Sequence, residues 1–295
     1  MRGPIDDGHD AIVIGSGFGG VLAAHQLVRS GYRVALLERG DWVERDRKGR
    51  FTGTFGTLTP AYSTESSYRV IAGGEAARVG AFHCVGGPSV FYGGVSLRFR
   101  AQDFESHPEI VEASGAEWPF SYDDLEPWYG EAESVIGVAG EVAEDPTEAY
   151  HTTRYPQWPG ALSPTSRRIA QAARRLGLHP FRLPLAFNHR REAGRVPCVS
   201  CPRCDGFACP VSAKNDLATA VLPALLRNGL ELRTNMVALN LVRAGRSIVA
   251  VDCVDRLTGE PRRFAGRQFV LAAGALASPH LLLSSGLDTL NPAGD

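Results

Sequence analysis

The chain has 295 residues, 44% hydrophobic and 21% charged, with a net charge of −1 at pH 7. This length and balance supply enough apolar chain for a packed core and exclude a disordered protein, while the near-neutral charge excludes the basic footprint of a nucleic-acid binder. No apolar run reaches the length of a membrane span, and the opening stretch, with Asp6, Asp7 and His9 ahead of a short apolar run, lacks a signal-peptide pattern.

The first informative stretch is "DAIVIGSGFGGVLAAHQLVRSGYRVALLERG". Ala11 to Ile14 form a short continuous apolar run, the mark of a buried parallel strand. Gly15, Gly17 and Gly20 then complete G-x-G-x-x-G. Val21, Ala24, Leu27 and Val28 recur at helical spacing, and Gly31 stands where a C-terminal cap belongs. A second strand ends on Glu38. The spacing predicts a dinucleotide site: Gly15 for a tight turn, Gly17 for close approach to a pyrophosphate, Gly20 for helix–strand packing, and the helix N-terminus for the negative charge. Glu38 is placed to accept hydrogen bonds from ribose hydroxyls and to repel a 2′-phosphate, which disfavours NADP. NAD and FAD both satisfy these residues.

Further along, "HCVGGPSVFYGGVSLRFRAQDF" holds the pair Gly86–Gly87 and Ser89, which alone read as a loop turn with a local serine bond. "PCVSCPRCDGFACPVSAKND" packs Cys198, Cys201, Cys204 and Cys209 into C-x₂-C-x₂-C-x₄-C-P. Three readings stay open here: reduced thiols shaping a loop, an iron–sulfur cluster, or a disulfide or zinc site. A cytoplasmic, reducing location is expected, which disfavours stable disulfides. Strands are predicted near 230–238 and 247–254, a hairpin with Thr258 and Gly259 in its turn, and strand-turn-helix over 268–285.

Three segments carry a family resemblance. "HCVGGPSVFYGG" is similar to the flavin-side segment of the glucose–methanol–choline (GMC) oxidoreductases. "WPFSYDDLEPWYGEAESVIGVAG" resembles a segment of their sugar- and polyol-oxidising members. "FVLAAGALASPHLLLSSGL" resembles their second signature, although Asp288 stands where a glycine is expected. The cysteine stretch ending "AKND" is similar to the branch near gluconate dehydrogenase and pyranose oxidase.

The resemblance implies an α/β fold: a Rossmann-like FAD-binding domain with a parallel sheet (1–140), a partial substrate-domain insert carrying the cysteine-rich loop (141–231), and a return to the FAD-binding domain (232–295), with the C-terminal part of the family fold absent. It implies FAD rather than NAD, held by Gly15, Gly17, Gly20, Glu38, Gly86, Gly87, Ser89, Val237 and Gly274. Val237 is the residue matched to the adenine contact, and Gly274 the position where a side chain would collide with the cofactor. Phe91 and Tyr92 stand where some relatives attach FAD through a histidine, so binding is expected to be noncovalent. His83 reads as a satisfied structural histidine. The implied reaction is oxidation of the CH–OH group of an alcohol, sugar or polyol, with hydride passing to the flavin. The family's base is a histidine of the C-terminal part; none of the eight histidines here matches it, so no catalytic residue is assigned. The chain is expected to be an N-terminal portion, served by a complementing C-terminal chain or an electron-acceptor subunit, or else a noncatalytic FAD-binding subunit.

Overall fold

The computed structural model describes residues 4–45, 62–72, 75–191, 194–201 and 204–287. The first half of the chain gives β1 (Ile5–Asp6), β2 (Ala11–Ile14), α1 (Phe18–Arg29), β3 (Val34–Leu37), β4 (Tyr62–Ala72), β5 (Glu75–Phe82), α2 (Pro108–Ser114) and α3 (Tyr122–Ile136). The second gives α4 (Pro164–Arg175), α5 (Leu217–Ala220), α6 (Leu222–Arg227), β6 (Glu231–Arg233), β7 (Met236–Ala244), β8 (Ser247–Asp255), β9 (Pro261–Ala265), β10 (Gln268–Leu271) and α7 (Gly274–Ser284).

Two compact units divide these elements. The first comprises Met1–Tyr92, Asp205–Pro210 and Asp216–Asp295, the second Gly93–Cys204 and Val211–Asn215. Residues 93–140, grouped in the sequence with the nucleotide-binding region, thus lie in the second unit.

In the first unit a parallel sheet runs β10-β2-β3-β6. Ala11 pairs with both Gln268 and Val34, and Ile14 with both Leu271 and Leu37. Every residue of β2 and β3 is buried, which is why both read as unbroken apolar runs. Helix α1 crosses between them and stops where Gly31 turns to φ +81, with the Tyr32 N–H reaching back to Leu27 O at 3.1 Å. A second sheet runs β1-β9-β8-β7, and Ile12, Leu37, Met236, Val251, Phe264 and Leu281 form one core with their neighbours. The β8–β9 hairpin turns at Gly259, φ +73, as expected. The antiparallel pair β4–β5 had no counterpart in the sequence reading.

The strand expected over 230–238 is instead two strands on two sheets. Asn235 breaks it at φ +60; its side-chain N–H₂ donates to Asp41 and its carbonyl accepts from Arg256 Nε at 2.8 Å. Asparagine tolerates this left-handed backbone better than most residues. The break sends the chain from β6, paired with β3, to β7, paired with β8.

The second unit holds α2, α3 and α4 with irregular chain linked by short bridges, among them Ala139–Gln157, Val95–Leu185 and Phe187–Lys214. Helix α3 starts at a capping box, where the Ser121 N–H and hydroxyl both meet Asp124 at 2.8 Å, and ends at left-handed Gly137. Its buried face carries two acids, Glu126 and Glu133, both bonded by buried Arg98 at 2.9 and 2.7 Å. Among the described residues no helix is long and apolar enough to cross a membrane.

Candidate cofactor site

The three fingerprint glycines do different work. A Cβ on Gly20 would lie 1.8 Å from Gly15 O, and one on Gly15, already at φ +103, would lie 2.4 Å from Ala272 O. Both are fixed by the protein's own backbone, at the crossing of α1 with β2 and at the turn after β10. Gly17 has ordinary extended backbone, φ −74, and a Cβ there would meet nothing within 4 Å. The fold therefore has no use for a glycine at 17, and the space before it is open. It is also the N-cap of α1, which has no side-chain cap and no acid in its first turn. The helix's unpaired N–H groups and partial positive charge are left for something else.

Glu38 follows β3 and is 7% exposed. Its Oε2 accepts from the Ser16 hydroxyl at 2.5 Å and the Ser16 N–H at 3.1 Å, and its Oε1 from the Gly40 N–H at 2.8 Å. A carboxylate offers about four acceptor positions, so among the described residues one remains on Oε1. Burial pushes the carboxyl's pKa up, against the pull of Ser16 and Gly40. Val237, half-buried on β7, comes one residue after Met236, whose N–H donates to Glu38 O at 2.9 Å.

The second glycine turn lies against the first. Gly86 and Gly87 are left-handed, φ +89 and +54, and a Cβ on Gly87 would stand 3.2 Å from the Gly17 Cα. A Cβ on Gly86 would crowd the Ala218 N–H at 3.1 Å, so backbone strain and close packing already account for this pair. Ser89 makes the local turn bond that its sequence context suggests. Its hydroxyl donates to Gly86 O at 2.6 Å and accepts from the Leu217 N–H at 3.1 Å, leaving no proton for a cofactor. Gly274 also has a different reason: its φ of +90 needs glycine, while a Cβ there would meet no protein atom within 4 Å.

His83 is not the satisfied histidine expected. Its buried Nε2 has no hydrogen-bond partner among the described residues, and burial, with Arg39 and Arg256 nearby, pulls its pKa down to about 4. Phe91 is buried and stacks on Phe82, centroids 4.7 Å apart. Burial pushes the Cys84 thiol up to about 12, so it stays protonated.

No three of the described His, Cys, Asp and Glu side chains are grouped to hold an ion. Cys209 is buried in the first unit. Cys198, Cys201 and Cys204 lie in the second, on a cavity of about 550 Å³ that Leu162, Ile169 and Phe181 also line. An iron–sulfur or zinc site therefore has no support among the described residues.

A sequence profile described as GMC oxidoreductase matches residues 10–294. The chain belongs to the GMC oxidoreductase family. It is 33% identical over 306 residues to 6‴-hydroxyparomomycin C oxidase of Streptomyces lividus, covering 96% of this chain and 51% of that protein. To the fructose dehydrogenase large subunit of Gluconobacter japonicus it is 29% identical, with 97% and 55% covered. The solved structure of pyridoxine 4-oxidase from Mesorbium loti shares the fold: TM-score 0.59, 23% identity, 97% of this GMC chain and 54% of that one. This GMC chain spans about half the length of the relatives it matches.

The fingerprint glycines and Glu38 were legible because their spacing is local. Ser16, whose hydroxyl ties Glu38 to the second glycine turn, was not. Ser16 fills a variable position of the fingerprint, and nothing in the sequence announces its bonds to residues far along the chain.

Proposed function

We propose that the first unit seats FAD and that the chain is the N-terminal portion of a flavin-dependent oxidoreductase acting on the CH–OH group of a sugar, polyol or other small alcohol. The observation that carries this is Gly17: an unobstructed glycine at an uncapped helix N-terminus, beside a buried carboxylate with one acceptor position left. The residues fit the group. The start of α1 faces the diphosphate, Glu38 takes a ribose hydroxyl, and Val237 borders the adenine. Gly86–Gly87 and the open turn at Gly274 pass along the flavin side, with Ser89 acting only by shaping the loop. When bound, FAD supplies the hydride-accepting centre. Family membership and two oxidising relatives support the reading.

The proton acceptor for the alcohol is proposed to come from sequence outside residues 1–295, either a continuation or a complementing chain. Strand β10 is an edge of the described sheet and Leu283 of α7 is 62% exposed, which supports such a covering segment. The half-length match also keeps a second reading, a noncatalytic FAD-binding subunit serving a partner. FAD titration followed by anaerobic addition of a sugar or polyol tests both. Quenched flavin fluorescence supports the cofactor site, and bleaching without an added chain would remove the second reading. Protein that stays colourless after incubation with FAD would overturn the proposal.

A further inference from the structure

Ser16 is fully buried and its hydroxyl joins two parts of the proposed site. It donates to Glu38 Oε2 at 2.5 Å and accepts from the Gly86 N–H at 3.0 Å. From Gly86 the linkage continues: Gly86 O accepts from Ser89 Oγ, which in turn accepts from the Leu217 N–H. The preceding residue, Asp216, is pinned by Arg45 at 2.9 Å, and Arg45 also donates to Cys209 O at 3.2 Å. The carboxylate after β3 and the second glycine turn are therefore joined through the Ser16 hydroxyl, which also has Cys84 O as a more distant acceptor at 3.4 Å, beside a backbone bond from the Val85 N–H to Asp41 O at 3.1 Å.

A hydroxyl has one proton. Given to an ionised carboxylate, that proton makes a charge-assisted bond and leaves the oxygen a stronger acceptor for Gly86. A ribose hydroxyl donating to the remaining position on Oε1 favours the ionised carboxylate. The Ser16 proton is thereby kept on Glu38 and its oxygen kept as an acceptor for the Gly86 N–H, with no contact between ribose and turn. We infer that Ser16 is a positioning residue, through which occupancy of the ribose position at Glu38 fixes the Gly86–Gly87 turn. This rests on the reading that the first unit seats an adenine dinucleotide.

ADP carries the ribose and diphosphate but no flavin, so it is the probe. Amide hydrogen exchange across residues 84–90 is measured with and without ADP, and ADP binding is measured separately by calorimetry. In the wild type, ADP should slow exchange at the Gly86 amide by about twofold or more, since an existing bond is held in place rather than made. In Ser16→Ala, ADP should still bind while the slowing is lost; Ser16→Thr, which keeps the hydroxyl, should restore it. Equal slowing in Ser16→Ala would overturn the coupling and leave the dinucleotide site standing. Failure of ADP to bind the wild type would overturn both. Should Ser16→Ala not fold, Glu38→Gln at saturating ADP gives the same test, since a neutral amide replaces the charge: full slowing there overturns the coupling.

Discussion

Glu38 and Glu126 are both buried carboxylates, one in each unit, and the protein treats them in opposite ways. Glu126 accepts from Arg98 Nη1 and the Thr152 N–H, each at 2.9 Å, and from the Thr152 hydroxyl at 2.6 Å. Burial works against its charge, but the bonds from Thr152 and Arg98 outweigh it and hold the pKa at about 2. Glu38 receives only neutral donors, Ser16 and Gly40, and burial pushes it up. The first is a closed ion-pair network that builds the second unit. The second is a buried carboxyl whose desolvation is not fully answered within the described residues.

The largest effect should come from breaking the closed network. Arg98→Met strips the cation from both Glu126 and Glu133 and should cost about 3–5 kcal/mol in urea unfolding, since two buried acids lose their partner. Glu38→Gln should cost the FAD-free protein less, about 1–3 kcal/mol, because the amide N–H₂ must face a donor that a carboxylate oxygen accepted from. FAD affinity should fall by about 1.5–3 kcal/mol, the worth of a hydrogen bond to a charged group.

The two acids should also part in their pH dependence. Glu126 titrates at 4.5 when unpaired and at about 2 when folded. Between these values the unfolded chain binds more protons, so its contribution is full above pH 4.5 and is lost as pH falls toward 2. Glu38 is raised above the same 4.5, so in the FAD-free protein its contribution is lost as pH rises past that value. Urea unfolding of the wild type against Glu126→Gln and Glu38→Gln across a pH series should give differences of opposite slope. The smallest effect concerns Gly17→Ala, whose FAD-free stability should stay within about 0.5 kcal/mol of the wild type. Gly274→Ala, strained at φ +90, should lose about 1 kcal/mol or more.

Sequence reading reached the β2–α1–β3 unit because its signals are local: two apolar runs, three glycines at fixed spacing and a terminal acid. It placed the hairpin at Gly259 for the same reason. It failed at Asn235, where one left-handed residue moves the chain between sheets that periodicity alone would join. The left-handed backbone that favours glycine at 86, 87 and 274 is not visible in the sequence. Ser16 and the long-range bond of Ser89 were missed because their partners lie far along the chain: 128 residues separate Leu217 from Ser89, and 70 separate Gly86 from Ser16. Arg98 was silent for the same cause, its acids lying 28 and 35 residues downstream on a helix face.

The most direct test of the central claim is a paired FAD titration of the wild type and Gly17→Ala, read by flavin fluorescence beside the thermal unfolding of each FAD-free protein. The account predicts matching unfolding midpoints, saturable quenching by the wild type, and binding at least tenfold weaker in Gly17→Ala, about 1.4 kcal/mol. Equal FAD affinity in the two proteins would contradict it.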